Sequence, residues 1–317
     1  MSDRRPASTS IPGTSRISGT PSLRARMFIA ALRLTRAKRT FADADALCES
    51  LPKSQRPSRD RPPASLHRRH RVTRREIHGR PVYTIRPRHG SSTRHVFYLH
   101  GGAYVHQIQR DHWKFLSRLV DRAGCTVTVP LYPLAPKYHA DDTVAMVAAA
   151  HDAAFADTAP EDKVFMGDSA GGALALVLAR KIGAAGEAAP KEVVLISPWL
   201  DVTMTDPATR DLDPDDPYLG VEGLAEAGRL YAGRCDRSDP SISPLNAPAA
   251  TPGALSLFIG TRDVLLADAR RFRARCVDEG VELGYFEYEG MFHAWLLADI
   301  PEARHAMREL VRLVQRR

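Results

Sequence analysis

From about residue 70 onward the chain alternates between short β-rich apolar runs and longer Ala/Leu-rich amphipathic ones. The short runs predict strands at Val72–Ile77, Val82–Arg86, His95–Leu99, Thr126–Pro130, Lys163–Met166, Val193–Ser197, Leu255–Gly260 and Gly284–Tyr288. The longer runs predict helices over His112–Ala123, Asp141–Ala156, Ala170–Ala184, Ala267–Glu279 and Glu302–Val314. Strands alternating with helices make βαβ units. The expected fold is therefore a mostly parallel sheet of eight strands with helices on both faces. The first two strands have no helix between them and should form an antiparallel edge hairpin.

Two regions break the pattern. Residues 1–20 are rich in Ser, Thr, Pro and Gly and read as a disordered tail. Residues 21–65 hold one or two helices within 22–48, then a linker marked by Pro52, Pro57, Pro62 and Pro63. The main domain follows over 66–317. It is interrupted at 201–245 by an Asp/Pro-rich insertion with a single helical stretch near Glu222–Ala232. Such an insertion after a strand overhangs the carboxyl ends of the sheet, where function concentrates.

Charge modifies this picture in one place. The net charge is +8, but residues 1–80 carry 19 Lys/Arg against 6 Asp/Glu, or +13, which leaves −5 for the remainder. Few aromatics and no recognisable module accompany the arginines, so nucleic acid is not an expected partner. The first apolar stretch, Met27–Leu32, is too short to span a bilayer and has no cleavage site close behind it. Arg24, Arg26, Arg33 and Arg36 surround it, which suits an amphipathic helix. Packing on the parent protein is the favoured use, with a cover over a substrate site or peripheral membrane contact as the others. Cys48, Cys125, Cys235 and Cys276 are widely spaced and match no metal-ligand pattern. They read as free thiols of a reducing, cytoplasmic compartment.

The chemistry centres on Gly167-Asp168-Ser169-Ala170-Gly171, which matches G-x-S-x-G. A β run enters this motif and a helix leaves it, the setting of a nucleophile elbow. Small residues on either side of Ser169 permit the sharp turn, and the helix N-terminus favours a developing oxyanion. His100-Gly101-Gly102-Ala103-Tyr104, directly after an apolar strand, supplies the complementary loop. The amides of Gly101 and Gly102, with that of Ala170, are the expected oxyanion-hole donors. A serine hydroxyl needs a base, and the base needs a carboxylate. Downstream of Ser169 there are two histidines, His293 and His305. His293 follows the last strand, whereas His305 lies inside the final helix. Asp263 follows the strand ending near Gly260 and is preferred to Asp268, which is placed to cap a helix. Asp168 is read as structural.

Together these pieces resemble the hormone-sensitive-lipase family of bacterial carboxylesterases. The resemblance spans roughly residues 70–317 and is carried by His100–Tyr104, Tyr132-Pro133-Leu134-Ala135-Pro136, Gly167–Gly172, Ser197-Pro198-Trp199-Leu200-Asp201, Gly260–Asp263 and Gly290–His293. It implies an α/β-hydrolase fold, with a cap built from residues 22–60 and 201–245. It also implies hydrolysis of short- to medium-chain acyl esters through an acyl-enzyme, without metal or organic cofactor. The chain departs from the family twice: Ala103 stands for a glycine, and Lys137-Tyr138-His139 follows Ala135-Pro136, where an acidic residue is more usual. Trp199, Met204, Tyr218 and Phe292 are candidates to line the pocket. Lactone or amide hydrolysis by the same triad, or a non-catalytic ligand-binding relative, are the other readings. Edge-to-edge pairing of the final strand and helix would make a homodimer.

Overall fold

The computed structural model describes residues 14–56, 60–90 and 92–316. Strands β2 (His70–Ile77) and β3 (Arg80–Pro87) form the expected antiparallel hairpin. Its turn places His78 and Gly79 at φ 48° and 69°. Positive φ at both central residues gives the twist that a two-residue hairpin needs. The other strands are β1 (Thr14–Ile17), β4 (His95–Leu99), β5 (Thr126–Pro130), β6 (Lys163–Asp168), β7 (Glu192–Ile196), β8 (Ala254–Arg262) and β9 (Leu283–Phe292). All nine join one sheet in the order β1-β9-β8-β7-β6-β4-β5-β3-β2. Every pairing is parallel except β2 with β3 and β3 with β5.

The central strands are apolar on both faces. Val96 and Tyr98 of β4, Val164 and Met166 of β6, and Val194 and Ile196 of β7 belong to one core. Phe97, Leu99, Phe165, Val193 and Leu195 belong to the other. This is the period of two of a strand, doubled because helices cover both sides. The first core is closed by α1 (Leu23–Leu34), α4 (Arg110–Ala123) and α10 (Pro301–Gln315), through Ile29, Trp113 and Met307 among others. The second is closed by α2 (Ala44–Ser54), α5 (Ala140–Phe155), α6 (Ala170–Ala184), α8 (Val221–Ala232) and α9 (Leu266–Asp278).

Four details differ from the sequence reading. Thr14–Ile17 is not part of a disordered tail but a ninth strand, added in parallel to β9; residues 1–13 lie outside the described residues. Four residues with no apolar pattern give no signal in isolation, and the open edge of β9 supplies their hydrogen bonds. Helix α2 runs through Pro52 rather than ending before it, since its other turns bury Leu47 and Leu51. A short helix α3 (Ala64–Arg69) occupies the end of the linker, residues 57–59 being outside the described set. The insertion holds a second helix, α7 (Pro207–Leu212), started by Pro207 and capped by Asp206.

Because β4, β6, β7, β8 and β9 run parallel, their carboxyl ends share one edge of the sheet. The residues singled out above leave from that edge, as ligand sites of open α/β sheets do.

Candidate active site

Ser169 lies between the end of β6 and the start of α6 at φ 54°, ψ −123°. A side chain in this region is strained, and its surroundings must enforce it. The Ser169 amide donates to Ile196 O at 2.9 Å, and its carbonyl accepts from Trp199 N at 3.0 Å. The glycines on either side have no room for more. A Cβ on Gly167 would lie 2.2 Å from Gly171 O, and one on Gly171 would lie 2.0 Å from Leu99 O. The hydroxyl opens onto a cavity of about 210 Å³, and no hydrogen bond ties it to another described residue.

His293, directly after β9, lines the same cavity. Its Nδ1–H donates to Asp263 Oδ2 at 3.0 Å. That bond fixes the tautomer and leaves the Nε2 lone pair available. Asp263 follows β8 and is fully buried, its other oxygen accepting from Leu265 N at 3.0 Å. Burial opposes charge on His293, but the Asp263 carboxylate more than compensates, with smaller help from Asp216 and Asp168. The imidazole therefore titrates above its ordinary 6.5.

Asp168 has the structural role expected of it. It is buried, and Oδ1 accepts from Gly101 N at 2.9 Å and from the Tyr98 hydroxyl. His112 Nε2 donates to Oδ2 at 3.2 Å, while its Nδ1 accepts from Gln109 N at 3.1 Å. Burial alone would raise the Asp168 pKa, but His112, Tyr98 and the Gly101 amide hold it below the ordinary carboxylate value. The loop after β4 is thus tied to the residue before Ser169.

This bond corrects the sequence reading of the oxyanion loop. Gly101 was an expected donor, yet its amide is committed to Asp168. Gly102 and Ala103 line the cavity instead, and their amides have no acceptor among the described residues. Gly102 has φ 127°, and a Cβ there would lie 2.4 Å from His106 O. Ala103 adopts φ 52°, so the missing glycine costs some strain but no donor. His100 steadies the loop from behind: Nδ1–H donates to Gly101 O at 2.7 Å, and the ring stacks on Tyr132 at 4.2 Å. Burial lowers its pKa to about 4, which keeps it neutral.

Of the four candidate lining residues, Tyr218 and Phe292 face the cavity. The Tyr218 ring lies parallel to His293 at 6.3 Å. Trp199 and Met204 do not line it. Trp199 is fully buried against Tyr104, and its Nε1–H donates to Met204 Sδ at 3.0 Å. These two are buried in the core instead. The remaining apolar wall comes from Phe28 and Leu32 of α1, Phe41, Leu219, Leu224 of α8, and Leu297, which no motif marked.

Asp216, in the insertion, is a charged residue that sequence reasoning missed. Its Oδ1 accepts from Tyr218 N at 2.7 Å and Leu219 N at 2.9 Å. Its Oδ2 accepts from Val264 N at 3.0 Å, one residue past Asp263. Burial and the Asp263 charge push its pKa up to about 6, against the pull of His293. Within Asp213-Pro214-Asp215-Asp216-Pro217 nothing local separates it from its neighbours; the tertiary fold selects it. His151, Asp152 and Glu187 form the one group with metal-ligand spacing among the described residues. None of them lines the cavity, and two of the three are exposed.

A family model for the alpha/beta hydrolase fold matches residues 96–297. LipR of Mycobacterium tuberculosis, described as an acetyl-hydrolase, is 31% identical over 243 residues, covering 76% of this chain and 79% of its own. An esterase of Acinetobacter venetianus is 28% identical over 228 residues, 69% of this chain and 74% of its own. Among solved structures, an esterase from the bacterial hormone-sensitive lipase family superposes with TM-score 0.79 at 26% identity, covering 94% of this chain and 99% of its own.

Proposed function

The chain belongs to the hormone-sensitive-lipase-like carboxylesterases of the α/β-hydrolase fold and is a carboxylic ester hydrolase, and on that premise we propose that Ser169, His293 and Asp263 are its nucleophile, base and acid. The observation that carries this assignment is the buried 3.0 Å bond from His293 to Asp263, with His293 on the wall of the cavity that the strained Ser169 also lines.

The reaction then runs as follows. Ser169 rotates toward His293 Nε2 and attacks the ester carbonyl while the imidazole takes its proton. Asp263 holds the imidazolium in place. The amides of Gly102, Ala103 and Ala170 receive the oxyanion, Gly101 serving by positioning the loop. Each such donor is worth about 2.7–4 kcal/mol of barrier in a comparable site. His293 protonates the leaving alcohol, and water reverses the sequence to release the acid.

A cavity of about 210 Å³ is smaller than the roughly 300–1,000 Å³ typical of drug-sized ligands. Together with its apolar walls, this favours esters of short acyl chains over long ones. The four cysteines are free thiols, in keeping with a cytoplasmic location. The test is hydrolysis of p-nitrophenyl esters of increasing chain length, with labelling by a fluorophosphonate probe. The reading expects highest kcat/KM at the short end and labelling that depends on Ser169. Wild-type hydrolysis by Ser169→Ala would overturn it, and a wild-type protein inert to ester and probe alike would revive the ligand-binding alternative.

A further inference from the structure

Helix α1 has an inner and an outer side. Phe28 and Leu32 face the cavity, and Ala25 and Ile29 are buried in the core. On the outer side, Leu23, Met27 and Leu34 are 70%, 64% and 85% exposed. With exposed Ala30 they are spaced four, three and four residues apart, which is one strip of a helix. No described residue covers that strip.

A second, independent feature borders it. Arg26 and Arg33, seven residues apart and so on one side of the strip, line a groove of about 310 Å³ with Arg262, Thr20, Pro21 and Ile29. None of the three arginines has a carboxylate partner among the described residues. Among the described residues, the one side-chain hydrogen bond of the three is from Arg33 to Asp215 O at 3.4 Å. Arg24 differs, being paired with Asp299 at 2.6 Å. Three guanidinium groups lining one groove repel one another, and phosphate oxygens are anions that guanidinium groups bind well.

We propose that α1 docks this protein on an anionic phospholipid bilayer, with Leu23, Met27 and Leu34 entering the headgroup–acyl boundary and the Arg26, Arg33 and Arg262 groove taking lipid phosphates. Apolar strip and cationic border are the two contributions that hold an interfacial helix. No described helix is long and apolar enough to cross a membrane, so the contact is peripheral. Because Phe28 and Leu32 of the same helix wall the cavity, docking brings its mouth close to the phase in which apolar esters concentrate. The inference rests on α1 and its groove, so it stands or falls separately from the triad.

The experiment is flotation of the full-length protein with vesicles of phosphatidylcholine alone or mixed with equal phosphatidylglycerol. We expect binding to the anionic vesicles and release by salt. Arg26→Ser with Arg33→Ser should lower partitioning about fivefold per arginine removed. Leu23→Ser, Met27→Ser and Leu34→Ser together should abolish it. Both variants should hydrolyse soluble p-nitrophenyl acetate as the wild type does, which shows that they fold. Absence of wild-type binding overturns the proposal. So does binding that neither variant weakens, which would place the lipid contact elsewhere. So does a wild-type dimer that ignores vesicles and dissociates on changing the strip, since a second copy would then be the occupant. Loss of ester hydrolysis in the wild type would count against the triad and leave the vesicle result readable.

Discussion

At the scale of single residues, the site stores strain at Ser169 and charge around His293. The φ 54° conformation of Ser169 costs on the order of 1–3 kcal/mol. It is held by hydrogen bonds from β7 and its following loop and by the two glycines that admit no side chain. Gly171→Ala would drive a Cβ to 2.0 Å from Leu99 O. It should lower stability by about 1–3 kcal/mol and remove most activity, read by thermal unfolding and p-nitrophenyl acetate turnover. Ser169→Ala and Asp263→Asn should each lower kcat roughly 10⁴-fold or more while leaving the fold intact. The His293 pKa is raised by Asp263, so the acidic limb of kcat/KM should have its midpoint above 6.5. The same pairing stabilises the folded chain fully below 6.5 and fades as pH rises through the folded value. Asp216 also favours the charged imidazole. Asp216→Asn should therefore lower the His293 pKa and move that limb to lower pH; an unmoved limb would show that Asp216 acts only by bracing the insertion.

At the scale of elements, α1 and the insertion decide what reaches Ser169. Phe28 stacks on Phe292 with ring centroids 5.2 Å apart and planes 13° apart, although Phe28 is itself partly exposed. Such a pair is worth about 0.5–1.5 kcal/mol beyond the area it buries. Phe28→Ala should thus cost up to about tenfold in kcat/KM for a butyrate ester. Longer chains should gain relative to shorter ones, because the wall is opened. An unchanged chain-length profile would remove α1 from the substrate pocket. Strands β2 to β9 and the covering helices α4, α5, α6, α9 and α10 were readable from apolar period, and α6 runs over Ala170–Ala184 as expected. The insertion was less readable. Its helices are short, and its order comes from Asp206, Asp213 and Asp216 accepting backbone amides at 2.9, 3.1 and 2.7 Å. Such bonds leave no periodic trace.

For the molecule as a whole, the N-terminal segment belongs to the catalytic domain. β1 extends the sheet past β9, Ser22 Oγ donates to Glu302 Oε2 at 3.0 Å, and Gly19 N donates to Glu289. Deleting residues 1–21 would bare the β9 edge, an invitation to pairing between molecules. It should lower the melting temperature by several degrees and raise aggregation, measured by calorimetry and light scattering. A truncated chain as stable and soluble as the full one would show that β1 contributes nothing.

The sequence by itself determined the parallel sheet, the order Ser169, Asp263, His293 and the position of each after a strand, because strand period and the demands of a tight elbow are local. Tertiary structure decided which groups those residues meet. It took the Gly101 amide for Asp168 and left Gly102 and Ala103 facing the cavity. It turned Trp199 and Met204 toward each other and away from the site. It also set Asp216 beside the Asp263 loop and gave Thr14–Ile17 an edge to join. Each of these depends on which donor, acceptor or edge lies within about 3 Å across distant parts of the chain, and periodicity carries no such information.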